Sequence, residues 1–105
     1  MNETLIESVW KKAIPMVGYD DTKWRKDFAG AWILRNQLGI RSEYGWEIDH
    51  IKPKSMGGSD DESNLIPMHW RNNVCKANNY PVFTSMVSSD GNKNIDKEQS
   101  WKISK

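Results

Sequence analysis

A chain of 105 residues is one small domain with room for a single modest core. Its six tryptophans supply large apolar area from few positions. The formal net charge is +1, so bulk electrostatics give no support for nucleic-acid binding and any basic surface must be local. The single cysteine, Cys75, excludes an internal disulfide and any multi-cysteine zinc cluster.

The stretch MNETLIESVWKKAIPMVG has acids near its start and no long apolar run. It reads as neither a signal peptide nor a membrane span, so a cytoplasmic, reducing location without a membrane partner is expected. Leu5, Ile6, Val9, Trp10 and Ala13 recur at helical spacing and predict a helix over residues 3–13, with Asn2 as N-cap and Pro15 and Gly18 ending it. Tyr19 to Asp27 is polar and loop-like. Phe28 to Leu34 is short and precedes the turn-forming Arg35 to Gly39, which favours a strand.

Tyr44 to Ile51 alternates bulky and polar residues as a strand does, and Pro53 stops it. Ser55 to Ser63 is a turn-rich loop holding Gly57-Gly58 and the acids Asp60, Asp61 and Glu62. Leu65 to Met68 is a second short strand, limited by Pro67 to an edge or end. Trp70 to Ala77 predicts a helix closed by Asn78-Asn79 and Pro81. Val82 to Ser88, an Asp90-Gly91 turn and Ile95 to Ile103 read as a hairpin. The alternative for residues 85–105 is a polar, partly disordered tail. The fold class expected is α+β: one domain over residues 1–105, with a strand-loop-strand-helix core at about residues 44–79.

Residues 46–76, WEIDHIKPKSMGGSDDESNLIPMHWRNNVCK, return two polar clusters to one place along that path. Hydrolysing a phosphodiester needs an activated water, charge relief on the phosphate and stabilisation of the leaving alkoxide. A bound divalent ion serves the last two as a Lewis acid. Imidazole, which titrates near roughly pH 6.5, serves the first. Asp49 is the better ligand and His50 the better base, while Asn73 on the predicted helix offers a hard amide oxygen suited to Mg²⁺ or Mn²⁺. Adjacent residues of a strand point to opposite faces, so a bend before Pro53 must turn Asp49 or His50 toward a shared site.

At these residues the chain resembles the HNH endonuclease family and its ββα-metal fold. The matching pattern is Asp49-His50, Asn64 and Asn73, an HNN version of the signature, at intervals similar to those of the HNH domain in RNA-guided CRISPR nucleases. Gly57-Gly58, Leu65 and Lys76 fit the same context, and Trp24 to Asp27 with Tyr44-Gly45-Trp46 look similar to small stand-alone bacterial and phage members. The resemblance implies that Asp49 and Asn73 coordinate one divalent metal, Mg²⁺ or Mn²⁺ with Ni²⁺ or Co²⁺ as further options. It also implies that His50 activates the water and that Asn64 pins the long loop through side-chain to backbone hydrogen bonds. The reaction implied is DNA cleavage leaving a 5′-phosphate and a 3′-hydroxyl.

Many members carry paired CxxC zinc knuckles. Here His69 and Asn72 stand where such members have cysteines, so no structural zinc is expected and packing must hold the fold instead. A helix turns by about 100° per residue, so only one of Asn72 and Asn73 can face a metal. His69 is expected to cap or pack at the helix start. The acids of the loop are expected on its solvent side, without spacing that supports metal ligation. Trp46 and Trp70 are expected to pack behind the site, with Trp24 beside Lys23, Arg25 and Lys26 open as a DNA-facing aromatic.

Lys52, Lys54, Arg71, Lys76 and Arg25 are candidates for contacts to a nucleic-acid backbone, double-stranded DNA being the expected partner. The expected enzyme is a metal-dependent endonuclease, a monomer that nicks or a homodimer. The alternatives are a non-catalytic nucleic-acid-binding module on the same scaffold, or a toxin or packaging component within a larger assembly.

Overall fold

The computed structural model describes residues 2–104; Met1 and Lys105, which fall within the expected spans 1–105 and 85–105, lie outside the described residues. Helix α1 spans Glu3–Trp10, and the Asn2 side chain accepts a hydrogen bond from the Leu5 amide at 2.8 Å, satisfying one of the orphan N–H groups of the first turn. The helix is one turn shorter than its apolar spacing suggests. Ala13 is buried beyond it, in a turn that leads into strand β1, Ile14–Pro15. β1 pairs antiparallel with β2, Trp24–Lys26, and β2 with β3, Trp32–Leu34. The 19–27 stretch read as loop therefore contains a strand, and only the end of the 28–34 stretch is one.

Strand β4, Trp46–His50, pairs antiparallel with β5, Leu65–His69, Trp46 lying opposite His69 and His50 opposite Leu65. Pro67 sits opposite Ile48 in this two-stranded sheet, where both strands are edges and a missing N–H is tolerated. Helix α2, Trp70–Lys76, follows without a linker. Strands β6, Val82–Asp90, and β7, Lys93–Lys102, close the chain as a hairpin whose two loop residues are Gly91-Asn92, one position later than the Asp90-Gly91 expected.

The hairpin is held to the body of the molecule. The Asn94 side chain accepts from the Trp32 amide at 2.7 Å and donates to the Trp32 carbonyl at 3.1 Å, copying a strand pairing with one side chain. On the other strand a bulge between Ser85 and Val87 disturbs the ladder. Asn72 Oδ1 accepts from the Met86 and Val87 amides there, each at 2.8 Å. The flexible-tail alternative is not what the structure adopts.

Trp10, Ala13, Ile33 and Trp46 form the buried cluster between α1, β3 and β4, with Ile6, Leu38 and Ile48 against it. Trp10 and Trp46 meet at 5.2 Å between ring centroids. Burying such side chains contributes roughly 1.5–3 kcal/mol each. This core sits directly behind β4 and sets where Asp49 and His50 emerge. Among the described residues the result is a small α+β domain of two α-helices and antiparallel strands.

Candidate active site

β4 presents alternate residues to its two sides, and each side finds a different partner. Glu47 and Asp49 face α2. Asn73 Nδ2 donates to Glu47 Oε1 at 2.9 Å, and one helical turn further Lys76 Nζ lies 3.0 Å from Asp49 Oδ2. The ammonium also donates to the His50 carbonyl at 3.1 Å. The His50 side chain meets the loop, its Nε2 lying 2.7 Å from Asp60 Oδ1.

Asn64 organises that loop. Its Oδ1 accepts from the Lys52 amide at 2.9 Å, and its Nδ2 donates to the Lys52 and Ser59 carbonyls at 3.1 and 2.8 Å. Its own carbonyl accepts from the Ile51 amide at 2.8 Å. Gly58 lets the chain close here, because a Cβ at that position would stand 1.7 Å from the Lys52 carbonyl oxygen. Lys12, just past α1, donates to the Glu62 carbonyl and to the Leu65 carbonyl, the latter at 2.8 Å, tying the far end of the loop to the N-terminal segment.

Burial pushes the Asp49 carboxyl above the usual carboxylate range, opposed by the Lys76 ammonium. Asp49 Oδ2 makes an ion pair with Lys76 but no well-directed hydrogen bond, which leaves a buried carboxylate oxygen short of partners. Asn73 spends its Nδ2 on Glu47, because a carboxylate only accepts, and so keeps its amide oxygen as a donor atom for a ligand. Two hard oxygens on one side of β4 suit a divalent cation of the Mg²⁺ or Mn²⁺ kind. Among the described residues no group of three or more His, Cys, Asp or Glu side chains forms a cage for a metal. A site on Asp49 and Asn73 would therefore be an open one, completed by water and substrate.

His69 and Asn72, expected at the positions of zinc-knuckle cysteines, are linked by Asp27. Its Oδ2 accepts from the His69 amide and from Asn72 Nδ2, each at 2.9 Å, while Oδ1 accepts from the Ala29 and Ala31 amides at 3.0 and 2.9 Å. Asp27 is 0% exposed; burial pushes its carboxyl up, opposed by the hydrogen bond from Asn72 and by the backbone donors. Beside the packing expected there, a buried carboxylate with four N–H donors joins the start of α2 to the β2–β3 turn. Four donors to one carboxylate compensate the loss of water that makes a lone buried charge so costly.

His69 caps α2, its Nδ1 accepting from the Arg71 amide at 3.1 Å. Nε2 must then carry the hydrogen and donates to the Glu43 carbonyl at 2.8 Å. Both ring nitrogens are used. Asn72 points to Asp27 and β6, leaving Asn73 as the residue that faces β4.

Two of the five residues expected to meet a nucleic-acid backbone are placed elsewhere. Lys76 is 1% exposed, held between Asp49 and the Phe83 ring, and cannot reach a bound strand. Arg25 is turned inward, donating to the Asp21 and Ala13 carbonyls at 3.0 and 3.1 Å. Of the others, Lys52 is exposed, Lys54 pairs with Asp60 at 3.1 Å, and Arg71 pairs with Asp96 at 2.7 Å. Trp24 is half-buried, with its ring edge-on to Tyr44 and Trp32 at 4.9 and 6.2 Å between centroids, so it serves an aromatic cluster rather than standing open.

Asp60 is the residue that sequence reasoning missed. His50 and Lys54 hold its carboxyl below the usual range, His50 being the larger influence.

A two-stranded antiparallel sheet with a helix packed behind it, and an Asp-His pair at the end of its first strand, make a ββα core. Residues 36–79 match the family model described as HNH endonuclease, the family that this segment resembles. The substrate class the family implies is nucleic acid. The chain matched no curated protein and no solved structure in comparison. No helix is long and apolar enough to cross a membrane.

Proposed function

We propose that the protein is a metal-dependent endonuclease that hydrolyses phosphodiester bonds of double-stranded DNA, with His50 as the general base. The observation that carries this reading is the clamp: Asn64 binds both Lys52, two residues past His50, and Ser59, beside the residue that contacts the imidazole. A loop fixed at both points holds a base in place, which a binding-only module has no need to do.

Asp49 and Asn73 would hold one divalent ion through carboxylate and amide oxygens, and the ion when bound supplies charge relief on the phosphate and at the leaving oxygen. Glu47 fixes the Asn73 amide so that its oxygen is the free end. Lys76 anchors the end of β4 from beneath through the His50 carbonyl. His50 takes the proton of the attacking water. Lys52, Lys54 and Arg71 are the cations left to position the strand, by charge and not by sequence.

One such site cuts one strand, so a monomer nicks. Supercoiled plasmid incubated with Mg²⁺, Mn²⁺, Ni²⁺, Co²⁺ or EDTA tests the reading. Open-circle product in a divalent metal and none in EDTA is the expected result; early linear product would mean paired cuts by a dimer. Retained DNA affinity with no cleavage in any metal would replace the enzyme with a binding module.

A further inference from the structure

We propose that Asp60 is a positioning residue for His50: its carboxylate accepts the Nε2–H, fixes the ring, and leaves Nδ1 as the nitrogen that takes the proton from water. The inference rests on the reading of His50 as the base.

A carboxylate has no hydrogen to give, so the 2.7 Å contact between His50 Nε2 and Asp60 Oδ1 requires the hydrogen on Nε2. The neutral ring then has one lone pair, on Nδ1. When Nδ1 takes a proton the ring becomes a cation, and the same carboxylate stabilises it. The logic is that of a base oriented by a third group.

Asp60 is exposed, yet its place is not arbitrary. The residue before it, Ser59, gives its carbonyl to Asn64 Nδ2 at 2.8 Å, and the residue after it, Asp61, gives its carbonyl to the Asn64 amide at 2.8 Å. Asn64 therefore brackets Asp60 from both sides while gripping Lys52 near His50. Lys54 holds the second carboxylate oxygen at 3.1 Å, which sets the plane of the group. Of the three acids in the loop, Asp60 is the one whose side chain meets the imidazole. Glu62 serves through its backbone, its carbonyl accepting from Lys12.

The test uses the full chain and two readouts. The protein has two histidines, and the structure gives each a hydrogen-bonded Nε2–H, His50 to Asp60 and His69 to the Glu43 carbonyl. ¹⁵N-edited spectra of the wild type should show two exchange-protected imidazole N–H signals. Asp60→Ala should lose the His50 signal and keep that of His69, which reports the intact fold. Plasmid cleavage by Asp60→Ala should fall in kcat, on the order of tenfold to a hundredfold, with KM unchanged. Asp60→Asn, whose amide oxygen still accepts the N–H, should recover the signal and part of kcat.

An Asp60→Ala protein that keeps the His50 signal, or keeps wild-type kcat, overturns the inference. A His50→Ala protein that cleaves normally overturns the base assignment instead, whatever the spectra show.

Discussion

Lys76 Nζ lies 3.0 Å from Asp49 Oδ2, with the lysine side chain 1% and the aspartate side chain 18% exposed. A cation of the protein thus stands beside the carboxylate expected to hold a metal. Breaking a buried pair by removing one partner leaves the other charge uncompensated, which costs about 3–5 kcal/mol. Lys76→Met should lower stability to urea by that amount. With the ammonium gone, a divalent cation becomes the counter-charge for Asp49, so Mn²⁺ should raise the melting temperature more in Lys76→Met than in the wild type. Equal shifts would separate Asp49 from metal binding.

Asp27 faces four N–H donors, and an amide in its place can accept from only part of them. Asp27→Asn sets its NH₂ group against the His69 amide or against the alanine amides. Leaving buried donors unsatisfied costs about 1–3 kcal/mol. Urea unfolding should show a loss of that size, and protection of the His69 amide from hydrogen exchange should fall with it.

Burial holds the His69 imidazole below its usual range, against the Glu43 hydrogen bond that raises it. The folded protein therefore binds this proton less readily than the unfolded chain. The stability this contributes is fully present above the unfolded value, about 6.5, and is lost as pH falls from there through the folded value. Protonation would also remove the Nδ1 lone pair that caps α2. Urea midpoints measured on either side of the unfolded value should fall on the acid side, and His69→Gln should flatten that dependence.

Asn64→Ala removes three side-chain hydrogen bonds that close the loop over Lys52 and Ser59. The core lies elsewhere, so the loss of stability should be modest, about 1–3 kcal/mol. Cleavage should suffer more, on the order of 10²-fold in kcat, because a base displaced by a small distance loses its alignment. Full activity in a folded Asn64→Ala protein would remove the loop clamp from the mechanism.

The ββα path was legible because alternation in 44–51, the turn-rich loop and the apolar start of α2 are local patterns, and local patterns set these elements. The strands β1 and β2 were not, since two- and three-residue strands are too short to show a period and exist only through pairing, β1 with β2 and β2 with β3. Lys76 read as a surface cation because lysine is seldom buried without a partner; its partner, Asp49, is brought to it only by the docking of α2 on β4. Asp27 gave no local sign, as two of its donors lie 42 and 45 residues away. Asp60 stands in a run of acids with nothing in composition to separate it from Asp61 and Glu62; loop geometry makes the distinction.

The assignment of His50 as the base is tested most directly by plasmid cleavage with His50→Ala in Mg²⁺ or Mn²⁺, alongside urea unfolding and Mn²⁺ binding. His50 lies at the end of β4, half-buried and in contact with the loop residue Asp60, so the variant should fold and bind metal as the wild type does. Loss of open-circle product with fold and metal binding retained is the expected result. Cleavage at near wild-type rate would contradict it.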